Sequence, residues 1–159
     1  MYLHLSKNHI VQISYELGYV LGSLLKQRCV FDLREIPKFR VRYNVDLLRS
    51  LEFIGLENKI EIVEEPEGQF IILSYEMFDM IHELNNYIKK QLFHSSTLFE
   101  SKPCAIGFLD AFKTGLTITF NEKILDFIEK IMWYWFEKKL SIGTYVNQNR
   151  QRMHFFKVL

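Results

Sequence analysis

AIGFLDAFK, residues 105–113, places Gly107 and Ala111 one helical turn apart in an otherwise apolar run, and VLGSLLKQR, residues 20–28, carries Gly22 with Gly18 one turn before it. Glycine costs a helix interior about 1 kcal/mol relative to alanine. Small residues at this spacing therefore predict helices that another backbone approaches closely. Working outward from the second stretch, Ser101 is a plausible cap and Pro103 sits in the first turn of its helix. GLTITF (115–120) then reads as a strand and NEKILDFIEKIMWYWFEKKL (121–140) as a capped amphipathic helix. SIGTYVNQNRQRMHFFKVL (141–159) reads as a closing hairpin that turns near Asn147 to Asn149.

Around the first stretch, Ile10, Ile13, Leu17, Val20, Leu21, Leu24 and Leu25 recur at helical spacing, which predicts a helix over 8–27 capped by Asn8. CVFDL (29–33), a turn around Glu35 to Pro37, and KFRVRYNV (38–45) predict a hairpin. VDLLRSLEFIGL predicts a short helix with Leu47, Leu48, Leu51 and Ile54 inward, stopping at Gly55. A second hairpin turns at Glu65 to Gly68, and an amphipathic helix over 76–92 turns Met77, Ile81, Leu84 and Ile88 inward. The polar stretch HSSTLFESKP (94–103) marks a boundary between residues 1–100 and 101–159. Two helix-led halves, each with a basic strand in a hairpin, predict an internal duplication with a pseudo-two-fold relation.

The 159 residues are 48% hydrophobic and include fourteen Phe, eight Tyr and two Trp, enough for a packed interior. The longest apolar runs are too short to span a bilayer, so a soluble, intracellular protein without a membrane partner is expected. Cys29 and Cys104 lack CxxC spacing and read as free thiols. The five histidines show no HxxxH pair, and no phosphate loop or GxSxG is present, which leaves zinc, nucleotide and serine-hydrolase chemistry without a motif. The net charge of +1 divides into +4 over residues 1–45, −7 over 46–100 and +4 over 101–159. A local positive surface is thus compatible with a near-neutral chain. Lys38, Arg40 and Arg42 alternate with Phe39, Val41 and Tyr43, and Arg150, Arg152 and His154 alternate with Met153 and Phe155. Each set predicts a strand with one cationic face, suited to a phosphate backbone or simply to water. The run Trp133 to Phe136 reads as helix core with one or two rings exposed.

The glycine-bearing stretches and the order of elements around them resemble the LAGLIDADG homing endonucleases. Leu109, Asp110 and Ala111 match the LDA or IDA core of the signature, and Gly22 and Gly107 fall at its glycine. The resemblance implies an α+β fold, an α-β-β-α-β-β-α duplication. Two central helices would pack through Gly18, Gly22, Gly107 and Ala111, and two antiparallel sheets would form a saddle over nucleic acid. The second repeat departs by leading from GLTITF directly into a helix, which predicts a shortened half. In active members the last acid of each signature helix holds a divalent metal. With Gly22 and Gly107 as anchors those positions carry Gln27 and Phe112, and a one-residue shift of the first repeat puts Arg28 in place of Gln27.

The resemblance therefore implies a member that has lost strand cleavage and needs no cofactor. It would bind RNA, as a maturase or a component of a ribonucleoprotein assembly, or DNA. Arg34, Lys38, Arg40, Arg42, Arg150, Arg152, His154 and Lys157 would hold phosphates, while Asn147, Gln148, Asn149 and Gln151 would reach base edges or sugar hydroxyls. Two alternatives stay open at this point: an active magnesium-dependent endonuclease using Asp110, and a protein-interaction module without nucleic acid. Abundant Phe, Ile, Lys, Asn and Tyr suit an AT-rich genome and, for this family, a mitochondrion or plastid.

Overall fold

The computed structural model describes residues 2–4, 10–30, 39–56, 60–73, 101–113, 115–119 and 122–158. In chain order the elements are β1 (Tyr2–His4), β2 (Ile10–Gln12), α1 (Tyr15–Val30), β3 (Phe39–Arg42), α2 (Val45–Phe53), β4 (Ile60–Glu65), β5 (Gly68–Leu73), α3 (Lys102–Ala111), β6 (Thr117–Thr119), α4 (Glu122–Phe136), β7 (Ile142–Val146) and β8 (Arg152–Phe156). β1 and β2 pair antiparallel, and two three-stranded antiparallel sheets run β3-β5-β4 and β6-β8-β7. Behind both α1 and α3 comes the same succession of strand, helix and hairpin. In each case the lone strand pairs with the second strand of the hairpin. Among the described residues the two sheets therefore have equal strand number and order.

The core forms where α1 and α3 meet. Leu17, Val20, Leu21 and Leu24 from α1 and Cys104, Ala105, Phe108 and Leu109 from α3 are all at most 5% exposed. Close approach depends on the small residues. A methyl built on Gly18 would overlap the Cys104 carbonyl, one on Gly107 would overlap the Tyr15 carbonyl, and one on Gly22 would lie 2.9 Å from the Ala111 Cβ. All these contacts run in one direction along both helices, so α1 and α3 pack parallel. Each sheet lays one face on this pair: Val41 and Ile71 in the first, Thr117, Thr119 and Phe156 in the second, all at most 1% exposed. The Phe156 ring lies 6.0 Å from that of Phe112, at the end of α3.

Local chemistry fixes where the elements begin and end. Asn44 Oδ1 accepts from the Asp46 and Leu47 amides at 2.8 and 3.4 Å, an N-cap that starts α2. At the other end Gly55, with φ of 84°, lets the Leu56 amide return to the Leu51 carbonyl at 2.9 Å, and buried Leu56 closes the turn. α3 begins after Ser101, whose carbonyl accepts from Ala105 at 3.0 Å but whose side chain makes no cap bond. α4 buries Ile124, Leu125, Ile128 and Ile131, with Trp133 and Tyr134 exposed and Trp135 and Phe136 half-buried.

Two expectations change at the first helix. The periodic segment from Asn8 does not begin as helix: Ile10–Gln12 is a strand paired with Tyr2–His4, and α1 starts at Tyr15, where Ser14 Oγ takes the Leu17 amide at 3.3 Å. The β-branched Ile10 and Val11 suit that strand as well as they suit a helical stripe. At the other end α1 runs through Cys29 and Val30, so the expected CVFDL strand begins inside the helix. Its remainder, like the expected helix over 76–92, lies outside the described residues.

At an open helical site Gly→Ala would stabilise by about 1 kcal/mol. Because the Tyr15 carbonyl occupies the space, Gly107→Ala is expected instead to lower the unfolding free energy by about 1–3 kcal/mol. The check is a lower urea midpoint at unchanged m-value; a midpoint at or above wild type would mean that the helices are not in close contact there.

Candidate functional site

Strand register assigns every side chain of the sheets to a face. In the first sheet Arg42 stands opposite Phe70, and Phe70 opposite Val63; Arg40 is opposite Ile72, and Ile72 opposite Glu61. These positions alternate with Val41 and Ile71, which meet the helices, so they belong to the open face. Arg42 is exposed and its guanidinium carbon lies 5.8 Å from the centre of the Phe70 ring, a cation–π contact that covers the ring. Arg34 and Lys38 lie outside the described residues. The acidic hairpin brings Glu61 onto the same face, opposite the basic strand across β5.

The second sheet reverses the expectation for its basic row. His154 faces the helices beside Thr119 and is 7% exposed, its Nε2 at 3.4 Å from Glu122 Oε1. Arg152 shares that parity but lies at the exposed end of β8. The open face belongs to Met153 and Phe155, expected opposite the cationic row, with their cross-strand neighbours: Ile118, Phe155 and Gly143 in one row across the strands, Met153 and Tyr145 in the next. Alternation alone gives two faces without saying which is inside, and one buried histidine was enough to invert the choice.

At the tip of this hairpin the Asn147 carboxamide oxygen accepts from the Asn149 and Gln151 amides at 3.0 and 2.9 Å. Asn147 Nδ2 approaches Gln151 Oε1 at 3.4 Å, and Arg150 adopts a φ of 59°. Asn147 therefore builds the turn. Gln148, Asn149, Arg150, Gln151 and Arg152 are exposed around it, and Lys157 is exposed after β8.

Polar groups also cluster on the helix pair. Tyr15 donates to Asp110 Oδ2 at 2.8 Å, Lys113 Nζ lies 3.0 Å from Asp110 Oδ1, and Asn44 Nδ2 donates to Tyr19 Oη at 2.9 Å. Burial, with the Asp110 hydrogen bond and charge adding, raises the Tyr15 phenol well above its ordinary value. Burial also raises Tyr19, against the Asn44 hydrogen bond, and lowers Lys26. Burial pushes the Cys104 thiol up to about 12, which removes it as a nucleophile near neutrality.

By sequence the chain matches no family model and no curated protein. Its structure is similar to that of mesophilic variants of the homing endonuclease I-DmoI, with a TM-score of 0.56 and 10% identity over 92% of this chain and 90% of that one. It is similar to I-DmoI in complex with DNA and manganese, with a TM-score of 0.55 and 10% identity over 93% and 91%. The fold is that of the LAGLIDADG homing endonucleases. A third similar structure is the N-terminal LAGLIDADG domain of DUF199/WhiA, with a TM-score of 0.47 and 17% identity over 91% of this chain and 83% of that one.

Within the LAGLIDADG fold the helix contacts correct the register of the first signature. Gly18 meets Cys104 and Phe108, three residues before and one after Gly107, whereas Gly107 meets Tyr15 and Tyr19, three before and one after Gly18. The two glycines are thus pseudo-two-fold mates, and Gly22 is the mate of Ala111, the pair meeting across the axis. Gly18, not Gly22, corresponds to Gly107. The position five residues on is then Ser23, while Gln27 and Arg28 lie further along α1, which continues past the level at which α3 stops. The extra glycine at 22 misled the sequence reading; an alignment on Leu17-Gly18 would have found the register.

The donors do not fit a divalent metal. Ser23 offers a neutral hydroxyl, Phe112 a ring that is fully buried, and both Asp110 oxygens are engaged by Tyr15 and Lys113. Among the described residues no three His, Cys, Asp or Glu converge as a metal-binding group.

As pH rises past about 10 the unfolded chain releases the Tyr15 proton before the folded chain does, so stability falls with pH. Tyr15→Phe removes that contribution. Urea midpoints measured from about pH 8 to 11 are expected to fall more steeply for wild type than for the variant; parallel slopes would show that the Tyr15 proton is not held by the fold.

Proposed function

We propose that this chain binds nucleic acid across the open faces of its two sheets and does not cleave it. The observation that carries the reading is the exposed Arg42 on the open face of β3, two residues from Arg40, in a fold that I-DmoI presents to DNA. Arg40 and Arg42 hold backbone phosphates, with Arg150, Arg152 and Lys157 serving the second sheet and Arg34 and Lys38 extending the first row. Gln148, Asn149 and Gln151 reach bases or sugars. Loss of cleavage is supported by the Ser23, Phe112 and Asp110 chemistry, which gives a metal no anionic cradle. The repeats over 1–100 and 101–159 act as one binding unit. The polymer is RNA, in an intron-maturase or ribonucleoprotein role, or DNA, and the composition suits a mitochondrion or plastid.

The test is binding of duplex DNA and structured RNA across a salt series. Steep loss of affinity with salt is expected. An Arg40→Ala, Arg42→Ala double variant should reduce the logarithmic salt slope by about 0.7–0.9 per lost phosphate contact. No binding to either polymer at low salt overturns the reading. Cleavage of a plasmid panel in magnesium or manganese, abolished by Asp110→Asn, would restore the endonuclease.

A further inference from the structure

We infer that the open face of the second sheet is a stacking platform for unpaired bases, so that the bound nucleic acid includes a single-stranded segment. The inference rests on the nucleic-acid reading above and names the form of polymer that this face accepts.

The two open faces differ in chemistry. In the first sheet Phe70 is flanked across the strands by Arg42 and Val63, is covered by the guanidinium and is 7% exposed. In the second sheet the ring on the open face of the central strand, Phe155, is flanked by Ile118 and Gly143 and is half-buried. Its far edge occupies the space that a side chain on Gly143 would need, which fixes the ring on the sheet. Tyr145, 43% exposed, stands beside it with ring centres 6.1 Å apart, and Met153 is directly opposite Tyr145. Among the described strand residues of this face none is charged.

A duplex presents phosphates to a sheet laid over it, and an uncharged face gives those phosphates nothing. Aromatic rings on a sheet gain most from bases whose flat faces are free, with cations at the rim to hold the backbone. One such cation is present: Lys157 continues the outward alternation of Met153 and Phe155 at one end and is exposed, while the neutral, exposed Gln151 continues it at the other. Two exposed rings on α4, Trp133 and Tyr134, share their groove with Asp126 and Glu129 as well as with lysines, a poorer match to a polyanion.

The experiment compares fluorescently labelled 15-nucleotide single strands, DNA and RNA, with the duplex of the same sequence at matched salt. Single strands are expected to bind at least tenfold more tightly than the duplex. Tyr145→Ala should weaken them about tenfold at an unchanged salt slope, because a ring neutralises no phosphate, and Tyr145→Phe should bind like wild type. If Tyr145→Ala does not fold, photocrosslinking of wild type to a 4-thiouridine oligonucleotide replaces it, with adducts expected on Tyr145 or Phe155. Preference for the duplex, Tyr145→Ala binding single strands as wild type does, or adducts elsewhere would overturn the platform and leave nucleic-acid binding standing. Absence of binding to every polymer would remove both readings.

Discussion

Two helices that touch backbone to backbone hold this fold together. At Gly18 and Gly107 the space for a side chain is taken by a carbonyl of the opposite helix, and the contact is reciprocal. Close approach brings Leu17, Leu21, Phe108 and Phe112 into one dry centre, and each sheet then lies against the pair. A methyl group at either glycine would push the helices apart and, with them, the platform on which both sheets rest. The cost of glycine in a helix is offset only by this contact, which is why the residue reads as a signal rather than as a defect.

Much of the fold was legible because its physical causes are local. The Gly55 stop ends α2 as the sequence implied, and the hairpins at Glu65 to Gly68 and around Asn147 carry their turn residues in plain sight. What was not legible depends on partners far along the chain. Nothing in Ile10 to Ile13 distinguishes a strand from the first turn of a helix until Tyr2 to His4 arrives to pair with it. Gly22 looked like the counterpart of Gly107 because each follows two apolar residues, Val20-Leu21 and Ala105-Ile106, and only reciprocal contact selects Gly18. The inward turn of His154 was hidden for the same reason. An imidazole can satisfy itself beside a carboxylate at the edge of a core, here Glu122, and alternation gives no hint of that partner.

The candidate site inherits this asymmetry. One sheet offers a guanidinium above a covered ring, the other a half-buried ring with no cation among the described strand residues of its open face. At the helix ends stand a hydroxyl, a phenyl ring and a carboxylate already occupied by a phenol and an ammonium. Scaffold and surface therefore differ: the two halves match at the glycines of the helix pair and diverge in the groups around them.

The pseudo-two-fold axis joins mates that are no longer alike: Ser23 with Phe112, Leu21 with Asp110. Had the halves been two identical chains, any substitution near the axis would have struck the interface twice, and a bulky or charged residue would have faced its own copy. A single chain carrying both halves escapes that arithmetic. Phe112 can pack against Phe108 and Phe156 while its mate in the other half is a small serine, and Asp110 can take a phenol from the opposite helix while its own mate is a leucine. Covalent fusion thus relaxes a symmetry constraint, and the freedom it grants is spent where the two halves come nearest.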